Sequence, residues 1–267
     1  MKDIQEKLLG LMIELDNICA KHNLRYYIIG GTLLGAVRHK GFIPWDDDVD
    51  IGLPREDYEK FLCLSKDSFP EHIHLKTPYN TEDLLFPYSK FIDKNTTLIE
   101  DRLDGIVEGV YIDIFPLDGV GDTNIDSKIH FWKTYILQSL LYNNQDIGIK
   151  NGVKRIWQWV SRKLDRDNIY KLVSKNLIKR KFNDSKYVAN MVGAWKTKEI
   201  MPRDFFGKPT YYEFENKTFF GPEDYDSFLK NVYGDYMQLP PIEKQESHHN
   251  FKYINLNMPY KDYRRNN

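Results

Sequence analysis

Two observations predict a mixed α/β fold in which short β-strands are flanked by helices. Apolar residues recur at helical spacing near the N-terminus. Short apolar runs bounded by glycine and proline follow, as expected for strands. No repeat and no linker rich in glycine, serine or proline divides the 267 residues, so we expect a single domain over residues 1–267.

Composition narrows the class of protein. The 41% of hydrophobic and 14% of aromatic residues suit a folded core rather than a disordered chain. A net charge of -1 gives no overall attraction to nucleic acid. The sequence has no run of about eighteen apolar residues and no hydrophobic leader, so we expect a cytoplasmic protein. Cys19 and Cys63 lie far apart among periodic apolar residues, and we expect both to be buried free thiols.

The first elements alternate helix and strand. Residues 4–21 place apolar side chains at helical spacing, and residues 26–29 predict a short buried strand. Gly30 and Gly31 end that strand. Thr32 follows at a position where its hydroxyl would cap the next helix. We therefore expect the order strand, glycine turn and helix N-terminus.

A loop leads into an acid-rich strand that ends at Pro54, a residue typical of the first turn of a helix, and we expect that helix over 55–65. Further apolar runs predict strands over 72–77, 88–93 and 110–115. Residues 122–183 combine helical periodicity with many basic residues, which indicates a helical insertion. A strand over 187–191 follows the insertion.

The last part of the chain predicts a hairpin, a helix and a tail. Residues 212–220 read as two short strands around a turn at 215–217. Pro222 would open a last helix whose aromatic stripe suits the core, and Gly234 would end it. Residues 261–267 are expected to form a loose polar tail.

The most informative feature of the chain is a group of four acidic residues within five positions, Asp46, Asp47, Asp48 and Asp50. If Val49 and Ile51 are buried in a strand, the two-residue period places Asp48 and Asp50 together on the opposite face. Such carboxylates repel one another when half buried, so they call for cations. A solvated acidic loop is the structural alternative.

Oxygen ligands favour Mg2+ or Mn2+ over zinc or copper, although His39 lies close in sequence. A third ligand must come from another strand, and Asp113 is the candidate because a lone acid in an apolar strand is costly when buried. We therefore predict that Asp48, Asp50 and Asp113 are both the metal ligands and the catalytic residues, and that they suit two cations about 4 Å apart. An ion pair with an arginine is the alternative for Asp113.

The glycine turn supplies the other half of a phosphate site. Gly30 and Gly31 allow close backbone approach, and the helix after Thr32 would direct its free N–H groups and positive dipole end at an anion. Arg38 and Lys40 leave that helix as cations suited to phosphate, although a solvated helix end would look the same.

Residues 29–51, which run from the glycine turn through Arg38-His39-Lys40 to the acid cluster, resemble the signature of the LicD family. Residues 111–118 and 233–241 resemble later segments of that family. The resemblance implies a nucleotidyltransferase-like core with a small mixed β-sheet, in which a glycine turn and an Asp-x-Asp pair act with a third acid. The matching positions are Gly30, Gly31, Asp48, Asp50 and Asp113.

The resemblance also implies a reaction: transfer of phosphocholine from CDP-choline to a sugar hydroxyl of a bacterial cell-surface glycan precursor, of the teichoic acid or lipopolysaccharide type, with release of CMP. Fukutin-related proteins transfer ribitol phosphate and can carry a zinc-binding cluster that two scattered cysteines do not provide here. A lipid-linked oligosaccharide acceptor would bring the protein to the inner face of the plasma membrane. The basic insertion would then contact anionic lipid, or form a solvated basic face.

Choline carries a quaternary ammonium, which favours an aromatic face, and Trp45, Tyr88 and Trp195 are candidates. Tyr233 is either a substrate contact or a packing residue at a helix end. The predicted substrate-binding residues are Gly30, Gly31, Thr32, Arg38, His39, Lys40, Asp46, Asp47, Lys90, Trp195 and Tyr233. Asp113 and Asp47 are candidates for accepting the proton of the attacking hydroxyl. Transfer of ribitol or glycerol phosphate, nucleotidyl transfer from an NTP and non-catalytic glycan binding are the alternative functions.

Overall fold

The computed structural model describes residues 1–78, 87–101, 106–141, 163, 165–247 and 249–266. The α-helices in these ranges are α1 Lys2–Lys21, α2 Gly30–His39, α3 Arg55–Leu62, α4 Asn124–Leu141, α5 Arg166–Leu177, α6 Tyr225–Tyr233 and α7 Tyr260–Asn266. The strands are β1 Tyr27–Ile28, β2 Asp50–Pro54, β3 Ile73–Lys76, β4 Ser89–Asp93, β5 Thr97–Glu100, β6 Tyr111–Gly121, β7 Tyr187–Asn190, β8 Met201–Pro202, β9 Thr210–Phe214, β10 Lys217–Gly221 and β11 Phe251–Asn255.

A mixed seven-stranded sheet forms the centre of the molecule. Its main path has the order β1-β2-β6-β4-β3, and β7 pairs with the second half of β6 and carries β8 on its other side. Strands β2 and β6 run parallel, whereas the other pairs of this sheet are antiparallel. The predicted mixed α/β fold with a sheet flanked by helices is confirmed.

The N-terminal elements follow the prediction except at the start of α2. Helix α1 buries its apolar face, and the predicted strand is the short β1, paired with β2. Thr32 does not cap α2, because the helix already begins at Gly30 with Ile29 before it. The Thr32 hydroxyl instead accepts the backbone N–H of Asp50 at 2.9 Å, so this side chain joins the helix to β2.

The strands predicted over 72–77 and 88–93 are present as β3 and β4. Strand β6 continues beyond the predicted end at 115, because its second half gains a new partner in β7. The sequence did not predict β5 and β11, which pair with each other. Their pairing joins segments that are far apart in the chain, and each segment alone carries little strand signal.

Helices α4 and α5 lie within the predicted insertion of 122–183, while residues 142–162 and 164 lie outside the described residues. The two helices pack against each other, and α4 also packs against β6 and β7. They share an apolar cluster with the sheet, formed by Val120, Phe131, Ile169, Val173, Leu177, Ala189, Met191 and Ile200.

The predicted hairpin is confirmed as β9 and β10, with Glu215 and Asn216 at φ of +48° and +60° in a two-residue turn. Helix α6 begins at Tyr225 rather than at Pro222, because the Asp224 side chain caps it by accepting the Ser227 N–H. Gly234 ends the helix as predicted, at φ +74°.

The C-terminal residues and one cysteine differ from expectation. Most of the stretch expected to be a loose tail, 261–267, belongs to α7. Tyr260 at its start is buried, and its hydroxyl lies 3.1 Å from His74 Nδ1, which ties the end of the chain to β3. Cys19 is buried as predicted, but Cys63 is exposed just after α3; both are free thiols.

Within the described residues, no helix combines the length and the apolar character that a bilayer crossing requires.

A buried ion pair fastens α3 to the sheet. Arg55, the first residue of α3, donates from Nε to Asp118 Oδ1 at 2.7 Å and from Nη2 to Asp118 Oδ2 at 2.8 Å. Both side chains are buried, so each charge depends on the other for its solvation.

We predict that Arg55→Met lowers the free energy of unfolding by about 3–5 kcal/mol, because it leaves the Asp118 carboxylate buried without its partner. Urea denaturation followed by circular dichroism measures this. Lys230→Met is the matched control, since it removes a lysine from an exposed pair with Asp226 and should change stability little. A loss no larger than that of the control would contradict the assignment.

Candidate active site

The parallel pairing of β2 with β6 brings the predicted acids together. Asp50 lies opposite Asp113 in the register of the two strands, and the Asp113 N–H donates to the Val49 carbonyl at 2.9 Å. Val49 and Ile51 are buried, as the alternation predicted. Asp48 and Asp50 are half-buried on the other side of the chain. The strand itself begins only at Asp50, so Asp48 belongs to the loop that enters it.

The glycine turn packs directly against these carboxylates. A Cβ atom on Gly30 would lie 2.6 Å from Asp50 Oδ2, and one on Gly31 would lie 2.9 Å from Asp46 Oδ2. Gly30 also has φ of +57°, a conformation that side chains disfavour. The close approach explains why two glycines stand here. It also places the N-terminus of α2 beside the acids.

The acids strongly affect one another. Burial raises the pKa of Asp46 to about 8, with further contributions from Asp48 and Asp47. Burial and the charges of Asp48 and Asp113 raise the pKa of Asp50 well above its usual range. For Asp113, burial outweighs the opposing Lys90 charge and raises the pKa to about 7. The site therefore holds more negative charge than its environment can stabilise.

This excess charge fits a bound cation. Asp113 Oδ1 is buried and has no hydrogen-bond partner among the residues that the structure describes, so one ligand atom is unsatisfied. The donors are carboxylate oxygens, which suit Mg2+ or Mn2+. Over the same described residues, however, no group of three acidic, histidine or cysteine side chains is already gathered around one point as metal ligands. Shared binding by Asp48, Asp50 and Asp113 would thus draw their side chains closer together.

Asp47 has a different role from its neighbours. Its buried carboxylate accepts a hydrogen bond from the Ser247 hydroxyl and lies 3.0 Å from His249 Nδ1. The hydrogen bond to Asp47 and the nearby Asp48 and Glu100 charges raise the pKa of His249, although burial alone would lower it. The His249 side chain is thus largely buried. His248 lies outside the described residues.

Lys90 lies opposite Asp113 on β4, as expected for a residue near the site. Its side chain is buried, however, with Nζ 3.4 Å from Glu108 Oε1 and 3.5 Å from the centre of the Tyr111 ring. Lys90 therefore belongs to a network of charges within the sheet. From there its charge partly offsets the effect of burial on the pKa of Asp113.

The other predicted cations lie at the far end of α2. Arg38 is eight residues after Gly30, about 12 Å along a helix axis, so the helix does not bring it to the glycine turn. Its Nη1 donates to the Tyr236 carbonyl at 2.9 Å. His39 packs edge-on against Trp45, and Lys40 is exposed in the left-handed conformation that ends the helix.

A wall formed by Tyr233, Trp195 and Glu199 stands beside the acids. Burial raises the pKa of Tyr233 well above its usual range, and Asp50 and Glu199 add to the effect. The Tyr233 ring packs edge-to-face on Trp195 with centroids 5.0 Å apart, and Trp195 is 45% exposed. The sequence predicted both Trp195 and Tyr233 as substrate-binding residues, but it did not predict that the two rings are in contact.

Glu199 was missed. It accepts the Trp195 backbone N–H at 2.9 Å, and burial raises its pKa to about 8. It lies close enough to Asp50 to raise that pKa as well. The residue sits in a short lysine-rich helical turn, Lys196–Glu199, and no local pattern distinguishes it from a surface acid. Only the tertiary structure reveals its position.

A mixed sheet with acids on adjacent parallel strands, beside a glycine turn that begins a helix, defines a nucleotidyltransferase-like domain. Residues 23–147 match the family described as LicD/FKTN/FKRP, nucleotidyltransferase domain. The chain is 30% identical to the lipopolysaccharide cholinephosphotransferase LicD of Haemophilus influenzae over 270 aligned residues, which cover 93% of this chain and 96% of that protein. The chain therefore belongs to the LicD family.

Two shorter matches fall within limited parts of the chain. The human ribitol 5-phosphate transferase FKRP is 59% identical over 34 residues, which cover 13% of this chain and 7% of FKRP. A Rickettsia prowazekii protein, RP689, is 54% identical over 50 residues, or 19% of each chain.

We predict that Gly30→Ala lowers the free energy of unfolding by about 1–2 kcal/mol, because alanine disfavours the positive φ and its Cβ would collide with Asp50. The matched control is Gly10→Ala on the exposed side of α1, where an added Cβ meets nothing within 4 Å. That control should gain about 0.5–1 kcal/mol. Chemical denaturation measures both, and a shift of both variants in the same direction would contradict the described turn.

Proposed function

We propose that this protein transfers phosphocholine from CDP-choline to a sugar hydroxyl of a bacterial cell-surface glycan precursor and releases CMP. The observation that carries the proposal is the register of Asp50 with Asp113 beside the Gly30 turn. It occurs in a chain that is similar over nearly its whole length to a lipopolysaccharide cholinephosphotransferase.

In this proposal the glycine turn binds the diphosphate of the donor. Gly30 and Gly31 are partly exposed, and the N-terminus of α2 contributes free N–H groups and a positive dipole end. Asp48, Asp50 and Asp113 would hold Mg2+ or Mn2+, which when bound neutralises phosphate charge and orients the phosphoryl group.

The acceptor hydroxyl attacks the phosphorus that carries choline. A new bond forms between the sugar oxygen and phosphorus, the bond from phosphorus to the CMP oxygen breaks, and the hydroxyl proton passes to a carboxylate. Asp113 suits this role better than Asp47, because Asp113 Oδ1 has no hydrogen-bond partner among the described residues. Both Asp47 oxygens are engaged by Ser247 and His249.

Among the aromatic candidates for choline, exposure and position favour Trp195. Tyr88 is buried against Phe115, with ring centres 4.5 Å apart. Trp45 packs against His39. Trp195 is exposed and in contact with Tyr233, and the Glu199 carboxyl lies beside both. Aromatic faces with a nearby carboxylate suit a quaternary ammonium ion.

A lipid-linked oligosaccharide as acceptor would place the protein at the cytoplasmic face of the plasma membrane. Transfer of ribitol phosphate is the second candidate function, favoured by the match to ribitol 5-phosphate transferase FKRP. The same site would serve for transfer of either phosphocholine or ribitol phosphate, so the donor must be determined by assay.

We predict that Asp50→Asn and Asp113→Asn each reduce turnover at least about 100-fold, because each removes a charge that holds the cation or accepts the proton. The assay is Mg2+-dependent release of CMP from CDP-choline with a glycan acceptor, run beside CDP-ribitol and CDP-glycerol. The exposed Asp204→Asn should keep wild-type activity.

Full turnover by either variant would refute the assigned roles. Release of pyrophosphate from an NTP, without CMP release from any of the CDP donors, would instead identify a nucleotidyltransferase.

We predict that Trp195→Ala raises KM for CDP-choline about 5- to 30-fold, the loss of a cation-π contact worth about 1–2 kcal/mol, and that Trp195→Phe recovers part of it. Steady-state kinetics with CDP-choline and CDP-ribitol measure the effect, which should be confined to the choline donor. Tyr211→Ala removes a comparably exposed aromatic side chain from β9 and serves as control. Equal KM increases for both donors would exclude a choline contact.

A further inference from the structure

Helix α4 presents apolar side chains on two opposite faces. One face is buried against α5 and the sheet, with Ser127, Phe131 and Thr134 almost inaccessible. The other face carries four large apolar side chains that remain exposed: Ile125 by 74%, Ile129 by 64%, Trp132 by 45% and Ile136 by 49%. Side chains of this size rarely gather on a protein surface without a partner.

The exposed residues form a narrow stripe with a lysine on each edge. At about 100° per residue, the four apolar side chains fall within an arc of about 60° around α4. Lys128 and Lys133, both exposed, fall about 70° to either side of its centre. The same six residues and Leu137 line a concavity of ≈ 590 Å³ whose surface is almost wholly apolar.

The surroundings of this stripe are basic. Asp126, the acidic residue of α4, is paired with Arg180, and the sequence has no acidic residue over 127–141 or over 168–183. Helix α5, which packs on α4, and the turn that follows it expose lysines together with two more apolar side chains; these residues are Lys171, Leu172, Lys175, Ile178 and Lys179. An apolar stripe with lysines at its edges, in a basic setting, is the pattern of a helix that lies in the plane of a membrane surface.

We propose that the exposed face of α4 docks on an anionic lipid bilayer. Ile125, Ile129, Trp132 and Ile136 enter the boundary between headgroups and acyl chains, and the lysines at the stripe's edges extend their ammonium groups to lipid phosphates. None of the described residues that line this concavity belongs to the acid cluster, and the proposal holds for any donor or transferred group.

Charge favours a bilayer over a second copy of the chain. In a symmetric dimer through this face, lysines would be brought near one another, whereas an anionic surface complements them. A single stripe of one helix is also small for a stable protein interface, which needs about 1,000 Å² or more.

The test is co-sedimentation of the full-length protein with vesicles of phosphatidylcholine alone and with added phosphatidylglycerol. We expect binding to the anionic vesicles that weakens as salt is raised. The double variant Ile129→Glu/Trp132→Glu and the double variant Lys128→Glu/Lys133→Glu should each bind at least about tenfold more weakly.

The matched controls change equivalent residues elsewhere on the surface. Ile242→Glu alters an apolar side chain that is 84% exposed, and Lys217→Glu reverses an exposed charge on β10; both should bind as the wild type does. Thermal unfolding of each variant verifies that it is folded.

Three results would overturn the proposal. They are absence of wild-type binding to anionic vesicles, unchanged binding of both α4 variants, or equal weakening by the controls. Light scattering after size-exclusion chromatography tests whether a second copy of the chain occupies this face instead. A wild-type dimer that Ile129→Glu/Trp132→Glu converts to a monomer would assign the face to that second copy.

Discussion

The parallel pairing of β2 with β6 imposes the main physical constraint on this molecule. It sets Asp50 opposite Asp113 and so brings mutually repelling carboxylates into one half-buried place. The surrounding structure must hold this arrangement against repulsion. Val49 and Ile51 anchor the loop and strand in the core. Arg55, directly after β2, pairs with Asp118 on β6 and so fastens the start of α3. The acids are thus fixed by packing, and their excess negative charge is available to a cation, which could in turn hold a phosphate.

The site has two parts that differ in how they relate to the family. The glycine turn and the acids on β2 and β6 lie within residues 23–147, the region that matches the family's nucleotidyltransferase domain. The wall of Tyr233, Trp195 and Glu199 lies beyond that region. In the proposed function, the first part would bind any phospho-alcohol donor. The second part would distinguish choline from a polyol through its side chains.

The C-terminal segment closes one side of this site and links it to the rest of the chain. Ser247 and His249 bind the Asp47 carboxylate, and β11, which follows them in the chain, pairs with β5.

On another surface, α4 combines a buried face with an exposed apolar one. The buried face accounts for the packing of the helical insertion on β6 and β7, while the exposed face is the feature that core packing does not explain.

The sequence alone determined the local features whose signal lies in neighbouring residues: α1 by its helical period, the burial of Val49 and Ile51 by their alternation with acids, the hairpin by its turn, and the end of α6 by Gly234. It also predicted that Asp113 would lie near Asp50, because a lone acid in the apolar strand β6 needed a partner. Only the tertiary structure decided that Thr32 binds β2 rather than capping α2, that Asp47 faces His249, that β5 pairs with β11, and that Glu199 approaches Asp50. These contacts join segments distant in the chain, and their energy comes from burial and partners that no local pattern of residues records.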